Sequence, residues 1–356
     1  AGSADAGGLT GKNMVTNGAM NVAQRSTSTT STSDGYHTVD RLYFETNQLD
    51  NYAHTMSQST EAPDGFANSF KIDVTTAETA IAANEFLRVM YRIEAQDCQQ
   101  LAFGTSSAQK TTLSFYVRSA VTGTYAVSMY QFDGNRIIGG TYTINSADTW
   151  ERKTITFDGD TSGVINDDNG AGLQLSFMLS SGSDYTSGDN TSWSAYTAAK
   201  LAYGHTANVA GSTSNDWHIT GIQLEVGDTA TDFEHEPYGV TLQKAKRYYE
   251  QHNFGTTTSM YGGAQSSSRG ECPFVYDVTK RANPTISVND RRAFRVNDWK
   301  GGDEQCSAFT VLETRPRQAR LGFDKSTGNL NTGYVIYMNK EGAFGTDPIL
   351  YIDAEL

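Results

Sequence analysis

The sequence predicts an all-β protein: a β-sandwich, then a short helix, then a second, smaller β-sandwich-like domain. Three observations predict it. Aromatic and β-branched residues come in short runs set apart by Gly, Asn, Asp and Ser, in a chain with 34 Gly, 19 Tyr and 16 Phe but only 6 Pro. The stretch Trp217–Val226 alternates as a half-buried strand does, with Ile219, Gly221, Gln223 and Glu225 on one parity and Thr220, Ile222, Leu224 and Val226 on the other. Ile222, Leu224 and Val226 are therefore expected in the core. Tyr238 to His252 places Leu242, Ala245 and Tyr249 at helical spacing, as a short amphipathic helix does.

In chain order, residues 1–12 are small and polar and read as a flexible arm. Met14, Val15, Met20 and Val22 anchor the first ordered segment. Ser26 to Ser33 is a Ser/Thr loop, and a turn at Gly35 leads into a strand ending near Phe44. Strands are expected at Tyr52–Gln58, Ser69–Thr75, Leu87–Glu94, Lys110–Ser119, Gly123–Phe132, Glu151–Phe157 and Leu173–Ser180, with a partly helical alternative over Phe86–Leu101. Regular short strands with turn signals between them point to a sandwich. Trp217–Val226 closes it, so the first domain is placed at 13–236, the linker helix at 237–252 and the second domain at 253–356. That second domain is expected to hold strands at Cys272–Val278, Thr285–Asn289, Phe294–Asn297, Ala308–Glu313, Ala319–Phe323, Tyr334–Asn339 and Ile349–Leu356.

Lys and Arg total 27 against 40 Asp and Glu, a net charge of −13. Such a surface repels phosphate backbones, which argues against nucleic acid as a partner. No apolar run approaches the ~20 residues of a membrane helix, so membrane insertion is not expected. The first residues lack the basic and apolar regions of an intact signal peptide. Three cysteines without a Cys-x-x-Cys indicate neither a disulfide framework nor a zinc site, and a Cys272–Cys306 bond has no support.

Several segments resemble one family. They are Asn13-Met-Val-Thr-Asn-Gly-Ala-Met-Asn-Val-Ala-Gln-Arg25, Gly35-Tyr-His-Thr-Val-Asp-Arg41, Tyr91-Arg-Ile-Glu94, Leu113-Ser-Phe-Tyr-Val-Arg118, Trp150-Glu-Arg-Lys-Thr-Ile-Thr-Phe157, Ile219-Thr-Gly-Ile-Gln-Leu-Glu-Val-Gly227, Phe233-Glu-His-Glu-Pro-Tyr-Gly239 and Lys246-Arg-Tyr-Tyr-Glu250. In that order they resemble the β-sandwich domain of bacteriophage tail-fibre and other virion adhesion proteins, which looks like a jelly-roll carbohydrate-binding module. Ala245-Lys246 stands where related chains often carry a Cys, and Asn17-Gly-Ala-Met-Asn21 lacks the acid that accompanies a structural calcium in such modules. The resemblance implies a virion part that meets the host surface, made in the host cytoplasm, in contact with other virion proteins and host glycan, and assembled as a homotrimer.

For a sugar, an exposed aromatic ring stacks on the apolar pyranose face. Trp193, Tyr196 and Tyr185 in polar loops, and Trp299 in a predicted turn, are the candidate platforms, whereas Trp150 and Trp217 open strands and read as core. Asp158-Gly-Asp-Thr-Ser-Gly163 matches the first half of a calcium loop through Asp158 and Asp160, but Asn169 stands where the bidentate Glu belongs, so a solvated hairpin loop is the better account. Glu225 is a calcium candidate by the resemblance alone, and no other cofactor is expected. His218, His235, Glu234 and Glu236 cluster in sequence without zinc spacing. No phosphate loop, nucleophile elbow or His-Glu-x-x-His occurs. The expectation is a non-catalytic, glycan-recognising appendage subunit. The alternatives are an architectural decorating subunit, favoured if Trp193 and Trp299 are both buried, and a polysaccharide depolymerase.

Overall fold

The computed structural model describes residues 11–255, 259–298, 303–340 and 347–356. The chain divides into two compact units, one ending at Leu242 and the other running Gln243–Glu355. In the first unit the strands are β1 (Ser28–Thr29), β2 (Gly35–Tyr36), β3 (Leu42–Asn47), β4 (Ala53–Ser59), β5 (Ser69–Thr76), β6 (Phe86–Glu94), β7 (Thr111–Ser119), β8 (Gly123–Gln131), β9 (Arg136–Ile144), β10 (Glu151–Phe157), β11 (Ala171–Ser181), β12 (Ser194–Ala195) and β13 (Asp216–Val226). They form two antiparallel sheets, ordered β1-β4-β5-β13-β7-β10 and β12-β9-β8-β11-β6-β3-β2. The expected sandwich is therefore present. Its core interdigitates Leu87, Val89, Tyr91 and Ile93 of β6 with Leu113, Phe115 and Val117 of β7, around a fully buried Trp217. After β6 the chain turns into a 3-10 helix over Ala95–Leu101, so the Phe86–Leu101 segment is strand and then helix.

Strand β9 had no counterpart in the sequence reading. Its Gly139-Gly140 pair looks like a turn but serves a close approach. A Cβ on Gly139 would lie 2.1 Å from the Asn190 side chain, which the 183–205 segment lays across the sheet.

β13 carries the bulge that the alternation concealed. Its pairing with β7 slips between Thr220 and Gln223, where Gly221 sits at φ +62°. The extra residue reverses the phase, so Trp217 and Ile219 face the core before it and Ile222 and Leu224 after it. Ile219 is thus core against its assigned parity. Val226, expected inside, lies at the exposed strand end. A Cβ on Gly221 would meet Phe66 at 2.7 Å and Tyr116 at 3.0 Å. Gly221→Ala is expected to destabilise the sandwich by about 1–3 kcal/mol, read by urea unfolding.

The helix α1 (Tyr238–Lys246) ends six residues before the expected His252. Tyr249 and Glu250 instead pair with Asp353 and Ile352, because β14 (Tyr249–Asn253) joins a sheet. The second unit adds β15 (Met260–Ala264), β16 (Arg269–Val275), β17 (Thr285–Val288), β18 (Phe294–Asp298), β19 (Asp303–Thr314), β20 (Gln318–Lys325), β21 (Val335–Lys340) and β22 (Ile349–Asp353). β14-β22-β17 is a three-stranded sheet, and β15-β16-β20-β19-β18-β21 closes into a barrel. The smaller domain is thus β as expected, but its six-stranded sheet closes on itself, which removes open edges. Cys272, Phe294, Leu321, Phe323, Ile336 and Met338 fill its interior. All three cysteines are free and buried.

Candidate functional site

The outer face of the seven-stranded sheet is divided. Met178, Ala126, Ile137 and Phe86 form a small apolar cluster beneath Leu201 and Ala202. The rest stays open as a groove of 260 Å³ lined by Arg88, Arg92, Tyr130, Phe132, Gln174, Tyr196 and Leu201. Alternation builds it: Leu87, Val89, Tyr91 and Ile93 point inward, so Arg88 and Arg92 point outward on the same strand. The register β11 to β6 sets Gln174 opposite Arg92, and β11 to β8 sets Gln174 opposite Tyr130, giving a row across three strands.

The groove is aromatic and hydrogen-bonded. Tyr130 meets Phe132 edge-on at 4.9 Å and Tyr196 at 5.2 Å. Its hydroxyl donates to Asn135 Oδ1 at 2.9 Å, and burial raises the phenol pKa, with Tyr196 adding to the effect. The Arg92 guanidinium carbon lies 4.9 Å from the centroid of the Tyr43 ring and 6.0 Å from that of Phe132, within cation–π range of both. Its Nε donates to Gln174 Oε1 at 2.9 Å, and Nη1 donates to the carbonyl of Leu356, which groups with this unit. Arg88 is paired with Glu45 and lies 5.0 Å from the Phe86 ring. The lining thus offers flat rings, guanidiniums and an amide, and contributes no carboxylate of its own.

Of the residues proposed from sequence, Tyr196 lines this groove. Tyr185 belongs to the covering segment and packs down on the sheet, edge-on to Phe86 at 5.0 Å, with its hydroxyl between Asn47 Nδ2 at 3.0 Å and the Asn84 carbonyl at 3.1 Å. Trp193 folds back onto the sandwich: it meets Phe103 edge-on at 5.5 Å, and its Nε1 donates to the Asp158 carbonyl at 2.6 Å. Trp299 lies outside the described residues.

The calcium candidates are not brought together. Asp158 pairs with Lys110 at 2.9 Å, and the buried Asp160 with Arg136 at 2.6 Å. Glu225 accepts from Thr231 N at 2.9 Å, Thr231 Oγ1 at 2.8 Å and Gln223 Nε2 at 3.0 Å, so both its oxygens tie down the exit from β13. Glu234 similarly accepts from Gly11 N and Asn13 N, and His235 packs against Phe66 and Phe233. His218 is buried on the six-stranded sheet, with Nδ1 3.1 Å from Ser69 Oγ and Nε2 3.2 Å from Asp216 Oδ2. Burial pushes the Asp216 carboxyl up, but the bond to His218 and the charges of His218 and Arg118 outweigh it and hold Asp216 well below the usual carboxylate range. Trp150, read as core, is half-buried on the outer side instead, edge-on to His218 at 5.8 Å.

The sequence reading missed Tyr43, Arg88, Arg92, Tyr130, Phe132 and Gln174. The signal available was parity. Two arginines on the outward parity of an otherwise apolar strand mark a face that is solvated and crowded with rings.

No family model and no curated protein matches the chain. Among solved structures it is similar to the enzymatically active domain of bacteriophage CBA120 tailspike protein 4, at 10% identity over 60% of this chain and 21% of that one, with a TM-score of 0.32. The chain thus spans about a fifth of that protein's length. It is also similar to a putative sugar binding protein from Bacteroides thetaiotaomicron, at 13% identity, covering 60% of this chain and 99% of that one, with a TM-score of 0.34. A family 11 carbohydrate-binding module from Clostridium thermocellum is 11% identical over 57% of this chain and 97% of its own, with a TM-score of 0.30. At these TM-scores the likeness carries no argument about ligand or activity.

Proposed function

We propose that the chain is a non-catalytic saccharide-binding protein that works through the open half of the seven-stranded sheet, as an appendage subunit of a phage virion contacting host-surface glycan. The observation that carries the binding reading is the groove itself, lined by Tyr130, Phe132 and Tyr196 together with Arg92 and Gln174, with the Tyr43 ring against the Arg92 guanidinium. Rings stack on the apolar C–H face of a pyranose, while guanidinium and amide groups bond its hydroxyls. Hydrolysis needs two carboxylates ~5–10 Å apart, and the lining of this groove supplies none. The virion role rests on the ordered sequence resemblance over residues 13–250. Single sites of this kind bind weakly, and assembly as a trimer would multiply them, with avidity gains of ~10²–10⁴.

The test is an immobilised panel of host-surface oligosaccharides probed with the full chain, with reducing ends assayed in the same samples. Retention on a subset of the panel without release of reducing ends is expected. Silence across the panel, together with capture by another virion protein, would favour the architectural alternative, and release of reducing ends would establish the depolymerase.

A further inference from the structure

The barrel carries a second surface with the chemistry of a saccharide subsite. Register sets Tyr261 of β15 opposite Tyr337 of β21, and Gly263 opposite Glu271 of β16, so Tyr261 lies diagonally across from Glu271. Arg320 of β20 is opposite Pro273, and Glu313 of β19 is opposite Arg320. Cross-strand partners share a face, and Met260, Cys272, Leu321 and Met338 occupy the interior. Tyr261, Pro273, Arg320 and Glu313 therefore leave the barrel on the same outer side.

A cavity of 310 Å³ opens in this surface, lined by Glu271, Pro273, Glu313, Gln318 and Arg320 among others. That volume is at the small end of ligand sites, about 300–1,000 Å³. Tyr261, diagonal to Glu271 of the cavity lining, is 61% exposed and offers a ring on the same outer side. Arg320 Nη1 stands 3.9 Å from Glu271 Oε2. That is too long for a hydrogen bond, and it leaves a donor and an acceptor facing each other across a gap that a hydroxyl group bridges. Charge on the lining balances, Glu271 and Glu313 against Arg315 and Arg320, so an ionic ligand gains little there and a neutral polyol fits.

We infer that this surface is a second saccharide-binding site, taking a neutral pyranose stacked on Tyr261 with its hydroxyls between Glu271 and Arg320. It shares with the proposed function the premise that the chain binds saccharide, but it uses different residues on the other compact unit. The test probes the full chain against immobilised neutral oligosaccharides built from glucose, galactose, mannose and N-acetylhexosamine. Four proteins are compared: the parent, Tyr261→Ala, Arg320→Gln, and the sandwich pair Tyr130→Ala with Tyr196→Ala. Tyr261 and Arg320 are both exposed, so unchanged melting temperatures are the folding control.

Tyr261→Ala and Arg320→Gln are each expected to weaken about fivefold to tenfold the binding of at least one oligosaccharide that the sandwich pair still retains. If every retained oligosaccharide is lost in the sandwich pair and unmoved by Tyr261→Ala, the inference fails while the groove stands. If the sandwich pair changes nothing and Tyr261→Ala does, the groove reading fails and the barrel site stands. A panel on which nothing binds, or a Tyr261→Ala that alters only the oligomeric state, overturns the inference.

Discussion

Between pH 6.5 and pH 4 the sandwich is expected to lose stability steeply. Two buried histidines are the reason. His54 is fully buried, stacked on Tyr52 at 5.2 Å and tilted against Phe44 at 4.3 Å, with no hydrogen bond to either ring nitrogen. Burial, with a smaller contribution from His37, pushes its pKa down to about 4. His205 accepts from Ala126 N at 3.2 Å, and burial pushes it down to about 4 against the opposing pull of backbone contacts. Both folded-state values lie below the unfolded one, so the unfolded chain takes up protons first. The stabilisation is complete above the unfolded pKa and is lost as pH falls toward the folded one. Each histidine contributes on the order of 3 kcal/mol across that window. Thermal melts in half-unit pH steps should show the fall, and His54→Leu should remove about half of it. A flat profile would mean that the protonated imidazoles find hydrogen-bond acceptors in the folded state.

The second large effect lies in the smaller domain. Lys280 and Glu250 are both fully buried with Nζ 2.9 Å from Oε2. The ammonium also donates to the Lys246 carbonyl, near the Tyr276 ring. Burial works against both charges. It raises Glu250, but the bonds from His252 and Lys280 prevail and hold that carboxyl low. It lowers Lys280, and here Glu250 offsets only part of the effect. Glu250→Ala strands the ammonium in the interior and is expected to cost about 3–5 kcal/mol, whereas the joint change Glu250→Leu with Lys280→Met should recover most of it. Hydrogen exchange at the β14 amides reads the difference. Glu250, His252 and Asp277 also gather closely enough to hold a cation. The adjacent Lys280 ammonium already supplies the positive charge there, so the cluster reads as an ion-pair lock.

What could be read from the sequence follows from period and punctuation. Strand runs such as Glu151–Phe157 and the closing strand at Trp217 were legible because apolar residues alternate between turn residues. The bulge at Gly221 was not, since a single inserted residue reverses the phase without changing composition. Strand β9 was hidden because Gly139 and Gly140 look like a turn unless the Asn190 side chain above them is seen. The helix was overextended because Tyr249 fits helical spacing, while pairing with Asp353, more than a hundred residues away, decides its conformation.

The site was less legible than the fold. Loop aromatics were the candidate sugar platforms; among the described ones, Trp193 closes over Phe103, Tyr185 packs on Phe86 and Tyr196 reaches the groove. The groove residues come from β6, β8 and β11, and only register places Gln174 between Arg92 and Tyr130. Asp158 and Asp160 match half of a calcium loop because acids near Gly and Ser are ambiguous in sequence, and Glu225 was a candidate by the resemblance alone. In the fold each is held by a lysine, an arginine or a threonine.

The most direct test of the groove is the dissociation constant of the tightest-retained panel oligosaccharide for the parent and for the double variant Tyr130→Ala with Tyr196→Ala. Loss of two ring contacts should weaken binding about tenfold or more, with the melting temperature nearly unchanged. An unchanged dissociation constant would contradict the assignment of saccharide binding to this face.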